Sequence, residues 1–171
     1  LYLGFPTRYL PNDGQRVEPT LMVSRDGLNF HRWLKPIVPE SAPKDRGGNR
    51  SNYMAWGLVE LLGRANHLSV YATEAYYAGP DSRLRRFEYR KDGFVSVNGG
   101  KRGGVLITKP IQLSRLADRL TLNYRAAEGG LVRVGLYRPD GNAIPGFSLA
   151  ECRALAGDQL SQAVMWKSVQ G

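Results

Sequence analysis

The chain has 171 residues, of which 42% are hydrophobic and 10% aromatic, and its formal net charge is +9 at pH 7. This composition excludes a disordered chain, and no apolar run reaches the roughly 18 residues of a membrane-spanning helix, so we expect no membrane partner. A single cysteine, Cys152, excludes an internal disulfide and a cysteine-rich zinc site.

Short segments that alternate apolar and polar residues dominate the chain and predict many strands. In chain order these segments are 1–5, 19–24, 28–34, 53–62, 67–73, 83–89, 94–97, 104–108, 119–126, 130–138 and 160–167. Residues 35–52 are rich in Pro, Gly, Ser and charge, and they predict a long loop. The spacing predicts an all-β sandwich or propeller rather than a parallel α/β sheet.

Four Asp-Gly pairs lie between apolar runs, and each pair could mark a turn or supply a carboxylate. Asp favours turns because its short side chain accepts hydrogen bonds from nearby backbone N–H groups, and Gly adopts positive φ without steric cost. We therefore interpret all four as corners of antiparallel structure. The pairs begin at Asp13, Asp26, Asp92 and Asp140.

The segment RLRRFEYRK at 83–91 is the densest cluster of cations in the chain. On a strand, alternation places Arg83, Arg85 and Phe87 on one face and Arg86 on the other. A basic balance favours anionic partners, but no recognition helix, zinc finger or RNP-type aromatic strand accompanies these arginines. The pattern predicts a solvated or carbohydrate-contacting surface and does not favour nucleic acid.

Two features in the last third of the chain predict local structure. The stretch LTLNYRAAEGGLVRVGLY alternates around Leu122 and Val134, which predicts a hairpin between 119–126 and 130–138. Ser148 followed by Glu151 is a capping box, which predicts one short helix of about two turns that carries Cys152.

Several quoted motifs together resemble a known group of proteins. SRDGLNFHRW at 24–33, RKDGFVSV at 90–97 and GGVLITKPIQL at 103–113 are similar to segments of bacterial relatives of glycoside hydrolase families 32 and 43. The resemblance implies the last blades of a five-bladed β-propeller at 1–88, then a truncated antiparallel β-sandwich at 89–171. It also implies upstream blades, on the same protein or on another chain, as partners.

The segment SVYATEAYYAGPDS ends a predicted strand with a carboxylate among aromatic residues. Sugars stack on aromatic faces and hydrogen-bond to carboxylates and Arg. We predict Glu74 as a candidate catalytic carboxylate and Tyr76, Tyr77 and Arg83 as substrate-binding residues. The alternative is a Tyr-rich strand beneath a loop, with Glu74 paired to an Arg.

The resemblance implies that the chain is the C-terminal portion of a carbohydrate-active, glycoside hydrolase-like protein, which is catalytically incomplete alone and acts as a glycosidase only within a longer chain. The alternatives are a non-catalytic carbohydrate-binding or structural β-sandwich, and an Arg-rich module that binds anionic polymers. His67 has no second ligand at a suitable spacing, so we expect no metal or cofactor. Glu60, inside an apolar run, is expected to pair with an Arg. Localisation stays open.

Overall fold

The computed structural model describes residues 1–38, 52–77, 79–112 and 118–167. The strands are β1 Tyr2–Gly4, β2 Thr7–Leu10, β3 Arg16–Ser24, β4 His31–Pro36, β5 His67–Glu74, β6 Arg83–Arg90, β7 Thr121–Arg125 and β8 Asp158–Ala163. All their pairings are antiparallel, so the all-β class is confirmed. Most of the loop predicted at 35–52 lies outside the described residues.

The chain divides into two compact units, Leu1–Phe94 and Val95–Gly171. This boundary lies after the end of β6, whereas the boundary predicted from the sequence lies inside β6, between residues 88 and 89. In the described ranges, no helix has the length and apolar character needed to cross a bilayer.

The first unit begins with an antiparallel meander centred on β3. Strands β1 and β2 lie along one side of β3 in a single register, because Gly4 lies opposite Met22 and Thr7 lies opposite Pro19. Pro6 separates the two strands, since it has no N–H group to donate to the ladder. Strand β4 pairs with the other side of β3, which makes β3 the central strand.

A second meander is centred on β5, which pairs along its whole length with β6. On the other side of β5, the segment 53–59 forms isolated bridges from Met54 to Ala72 and from Val59 to Ser69. Five residue steps separate these bridges on the segment and three separate them on β5, so the segment bulges between them. This bulge replaces the continuous strand predicted at 53–62.

The two meanders of the first unit are joined by hydrogen bonds, and each contributes buried apolar residues. The Asn52 N–H donates to the Val17 carbonyl at 3.0 Å, and the Tyr89 hydroxyl donates to the Ile37 carbonyl at 2.5 Å. Burial raises the pKa of Tyr89 to about 12. The buried apolar residues here are Val17, Leu21, Val38, Val70, Ala72 and Ala75.

The hairpin predicted in the second unit is wrong, because β7 pairs with the distant β8 instead of the next segment. After a turn at Gly130, whose N–H donates to the Ala127 carbonyl, the chain turns towards Leu155 and forms a bridge to it at Val132. The Ala126 N–H donates to the carbonyl of Gly157, just before β8. The alternating pattern of this stretch identifies side chains that are partly buried, such as Leu122 and Val134, but it does not identify the strand that pairs with β7.

The predicted helix at Ser148 is also wrong, although its capping box forms. The Ser148 hydroxyl donates to Glu151 Oε2 at 2.7 Å, and the Cys152 N–H closes one turn on the Ser148 carbonyl at 3.1 Å. The next donor, the Arg153 N–H, bonds to the Met165 carbonyl at 2.8 Å. Pairing with the distant segment around Met165 therefore uses the backbone donor that a second helical turn would need.

Neither of the strands predicted at 94–97 and 104–108 forms in the described part of the second unit. A turn brings Gly99 and Gly104 into backbone contact, but no ladder extends from it. Exposed apolar side chains in this stretch are Val95, Val97, Val105, Leu106, Ile107 and Ile111.

The core of the second unit lies around Trp166. The indole N–H of Trp166 donates to the Val134 carbonyl at 3.0 Å, and its ring packs edge-on against Phe147 with centroids 5.1 Å apart. The buried members of this cluster are Cys152, Leu155, Val164 and Trp166. The unit therefore has a hydrophobic centre of its own.

Candidate functional site

Glu74 is the last residue of β5, and its side chain is completely buried. The register places it directly opposite Arg83, with Arg85 two residues further along the same face of β6. Arg83 Nε donates to Glu74 Oε2, and Arg85 Nη1 donates to Oε1 at 2.6 Å. Both carboxylate oxygens are engaged, so Glu74 orients two guanidinium groups.

The two arginines extend from this buried anchor to the surface. The Arg83 side chain is 33% exposed and the Arg85 side chain is 51% exposed. The Arg85 guanidinium carbon also lies 5.6 Å from the centroid of the Phe87 ring, a cation–π arrangement. Because each guanidinium has five N–H donors, each keeps donors for water or a ligand.

Three tyrosines form a second group where the chain leaves β5. Tyr76 packs edge-on against Tyr53 and Tyr77, with ring centroids 5.0 Å and 4.9 Å away. The hydroxyl oxygens of Tyr53 and Tyr77 are 2.9 Å apart, and this hydrogen bond, with burial, raises the pKa of Tyr53 to about 12. Tyr76 is 49% exposed and Tyr77 is 65% exposed, so the cluster presents two rings to solvent.

The tyrosine cluster and the arginine pair are neighbours on different faces of the sheet. The Thr73 N–H donates to the Tyr53 carbonyl at 2.9 Å, which places Tyr53 opposite Thr73 and on the face away from Glu74. Ala75 has a φ of 52°, which turns the chain out of the strand before Tyr76. Among the described residues, no hydrogen bond or ring contact joins the two groups.

The structure thus brings Glu74 together with Arg83, and Tyr76 together with Tyr77, as two groups at one end of the β5–β6 hairpin. The sequence placed Arg85 on the correct face but assigned it no role at the site. Tyr53 was missed because its place depends on the pairing of 53–59 with β5, which no local pattern indicates.

A second buried carboxylate, Glu18 on β3, lies in the first meander. Arg8, directly opposite on β2, donates to Glu18 Oε1, and Arg16 Nε lies 3.5 Å from Oε2. The side chains of these arginines are more covered than that of Arg85. We interpret this cluster as a structural ion-pair network rather than a surface site.

Asp26 lies at the corner between β3 and β4, as its Asp-Gly pair predicts. Its Oδ1 accepts hydrogen bonds from the backbone N–H groups of Leu28 at 2.9 Å and Asn29 at 2.8 Å, and from the Ser24 hydroxyl. Its Oδ2 accepts one from the Asn29 side chain. These bonds, that of the Asn29 side chain above all, lower the pKa of Asp26 below its usual range.

The expected Arg partner of Glu60 is wrong. Glu60 is exposed and pairs with Lys91, whose Nζ lies 2.5 Å from Oε1. The apolar run around it is not buried, since Leu62 is fully exposed, so no buried charge required an Arg. No group of three or more His, Cys, Asp or Glu side chains in the described ranges is placed to hold a metal ion.

Comparisons of the chain with protein-family models, curated proteins and solved structures returned no match. What the chain does must therefore be inferred from the side chains at the end of the β5–β6 hairpin.

Proposed function

We propose that the chain binds carbohydrate at the end of the β5–β6 hairpin. The observation that carries this proposal is the tyrosine cluster, in which Tyr76 and Tyr77 are half exposed and held edge-on by one another and by Tyr53. Aromatic rings stack on the C–H faces of sugars, and rings already fixed by their neighbours lose little conformational freedom on binding.

In this proposal the arginines supply polar contacts at the same end of the hairpin as the aromatic surface, on the other face of the sheet. Arg83 and Arg85 donate hydrogen bonds to ligand oxygens, and Glu74 acts as the positioning residue that holds them. A general acid or base needs a carboxyl oxygen that can reach the substrate, whereas both oxygens of Glu74 accept from arginine. The geometry therefore favours binding over catalysis at this position.

We further propose that the chain belongs to a larger glycoside hydrolase-like protein, with the first unit in a propeller and the second as a sandwich. Propeller blades are antiparallel meanders, and the two consecutive meanders of the first unit support this proposal. Hydrolysis would require a pair of carboxyl groups about 5–9 Å apart. In this view upstream blades, on the same protein or another chain, supply both of them.

Binding to a panel of soluble polysaccharides, measured by affinity electrophoresis and then calorimetry, tests the proposal. Tyr76→Ala is expected to weaken binding by about tenfold or more, because a stacking ring is removed from the surface. Trp56→Ala is the matched control, since Trp56 is a fully exposed aromatic residue on the bulge of 53–59. Absence of binding to every polysaccharide, or equal effects of the two substitutions, would contradict the proposal.

Chromogenic furanosides and pyranosides test catalysis separately. We expect no turnover by the chain alone. Turnover that disappears in Glu74→Gln would instead identify Glu74 as a catalytic carboxylate and overturn the positioning role proposed for it.

A further inference from the structure

We infer that the carbohydrate bound at this site is acidic, and that its carboxylate or sulfate group is held by Arg83 and Arg85. The inference rests on the proposed function and specifies the class of sugar. It depends on the charges of Glu74, Arg83 and Arg85, which together are called the Glu74 cluster.

Among the side chains that the structure describes, the ion pairs of the cluster leave a positive charge. Two guanidinium groups share one buried carboxylate, so the three side chains carry a net charge of +1. The Glu74 carboxylate is fully buried, and each of its oxygens already accepts from one arginine. Its single negative charge therefore balances only one of the two guanidinium groups. One monovalent anion brings the cluster to neutrality, whereas the hydroxyl groups of a neutral sugar leave the charge in place.

The exposed donors are also prearranged for an anion. Glu74 holds Arg83 through Nε and Arg85 through Nη1, and the Phe87 ring supports Arg85 from one side. Each guanidinium keeps a pair of parallel N–H donors that match the two oxygens of a carboxylate or sulfate. Fixing these long side chains before binding removes much of the entropy that their ordering would cost.

The rest of β6 argues for a single anionic group rather than a polyphosphate track. Arg86 lies on the opposite face, where its Nη1 is 3.2 Å from Glu88 Oε1. Nucleic-acid binding depends on several phosphate contacts along a basic surface. The Glu74 cluster instead provides one place for one anion, at the same end of the hairpin as the tyrosine rings.

The experiment uses the full chain and paired polysaccharides: polygalacturonate and alginate, each with its carboxyl-reduced form, and chondroitin sulfate with a form that is both carboxyl-reduced and desulfated. Arg85→Gln is the test variant, because it removes one exposed guanidinium and leaves Glu74 paired with Arg83. Arg86→Gln is the matched control on the same strand and the other face. Duplex DNA is included at two salt concentrations.

We expect an acidic form to bind at least tenfold more tightly than its neutral form, and Arg85→Gln to abolish that preference while Arg86→Gln retains it. Preference for a carboxylated or for a sulfated member identifies the anion. Equal binding of the acidic and neutral forms would overturn the inference and leave the proposed function standing, whereas binding of no polysaccharide would overturn both. Equally tight, salt-sensitive binding of DNA that both variants weaken alike would also overturn the inference.

Discussion

At the scale of single residues, two buried glutamates are arranged alike in the two meanders of the first unit. Glu18 and Glu74 each lie on a central strand, and each faces an arginine directly across the ladder. A buried carboxylate needs such partners, because its desolvation is otherwise too costly. The difference lies in the arginines, which are more exposed at Glu74 and are therefore available to a ligand.

Glu74→Gln is expected to lower the free energy of unfolding of the first unit by about 1–3 kcal/mol, the usual loss when hydrogen bonds to a charged group are removed. Urea unfolding measures this effect. Glu88→Gln is the control, since Glu88 pairs with Arg86 near the surface and such pairs contribute about 1 kcal/mol or less. Equal losses in the two variants would contradict the role of Glu74 as a buried anchor.

Asp26 predicts a dependence of stability on pH. Its pKa is lower in the folded chain than in the unfolded one, so its ionised form contributes stability above the ordinary carboxyl range. That contribution is lost as the pH falls from about 5 towards the lowered pKa. We therefore expect the difference in urea midpoint between wild type and Asp26→Asn to shrink over this acidic interval. A difference that stays constant would show that the turn does not depend on the charge.

At the scale of elements, the sequence predicts strands better than their partners. Alternation locates β5, β6 and β7, because a strand with one covered face has a two-residue period whatever lies beside it. Pairing depends on contacts between distant segments, so the partner of β7 could not be predicted from its own residues. The Ser148 turn illustrates the same limit, since a capping box favours a helix only while the following N–H groups bond within the chain segment.

Ser148→Ala tests this interpretation of the turn. Removal of the hydroxyl that pairs with Glu151 is expected to cost about 1 kcal/mol, the usual value for a lost cap. The far-ultraviolet circular dichroism spectrum is expected to stay unchanged, because one turn contributes almost no helical signal. A fall in ellipticity at the helical minimum would instead indicate a true helix in this segment.

At the scale of the whole molecule, each compact unit has its own buried side chains. The buried side chains of the first unit include the charged Glu18 and Glu74 as well as apolar residues, whereas the core of the second lies around Trp166 and Phe147. For the candidate site, local motifs point to Glu74 and Tyr76, whereas only the register of distant strands adds Tyr53.

Trp166→Ala is expected to destabilise the second unit by about 3–5 kcal/mol, because a large side chain leaves a cavity and its hydrogen bond to Val134 is lost. Hydrogen exchange measured for individual amides tests this effect in each unit. Faster exchange is expected in β8, with β5 unchanged. Matching increases in both strands would show that the two units unfold as one cooperative body.

The single cysteine has a consequence for measuring these events. Cys152 is buried in the core of the second unit, and the full sequence contains no other thiol. A disulfide reagent can modify it only after that core opens, so the modification rate reports the opening equilibrium when closing is faster than the chemical step. The rate at which Cys152 is modified in the unaltered protein thus measures opening of the second unit, and no label has to be engineered.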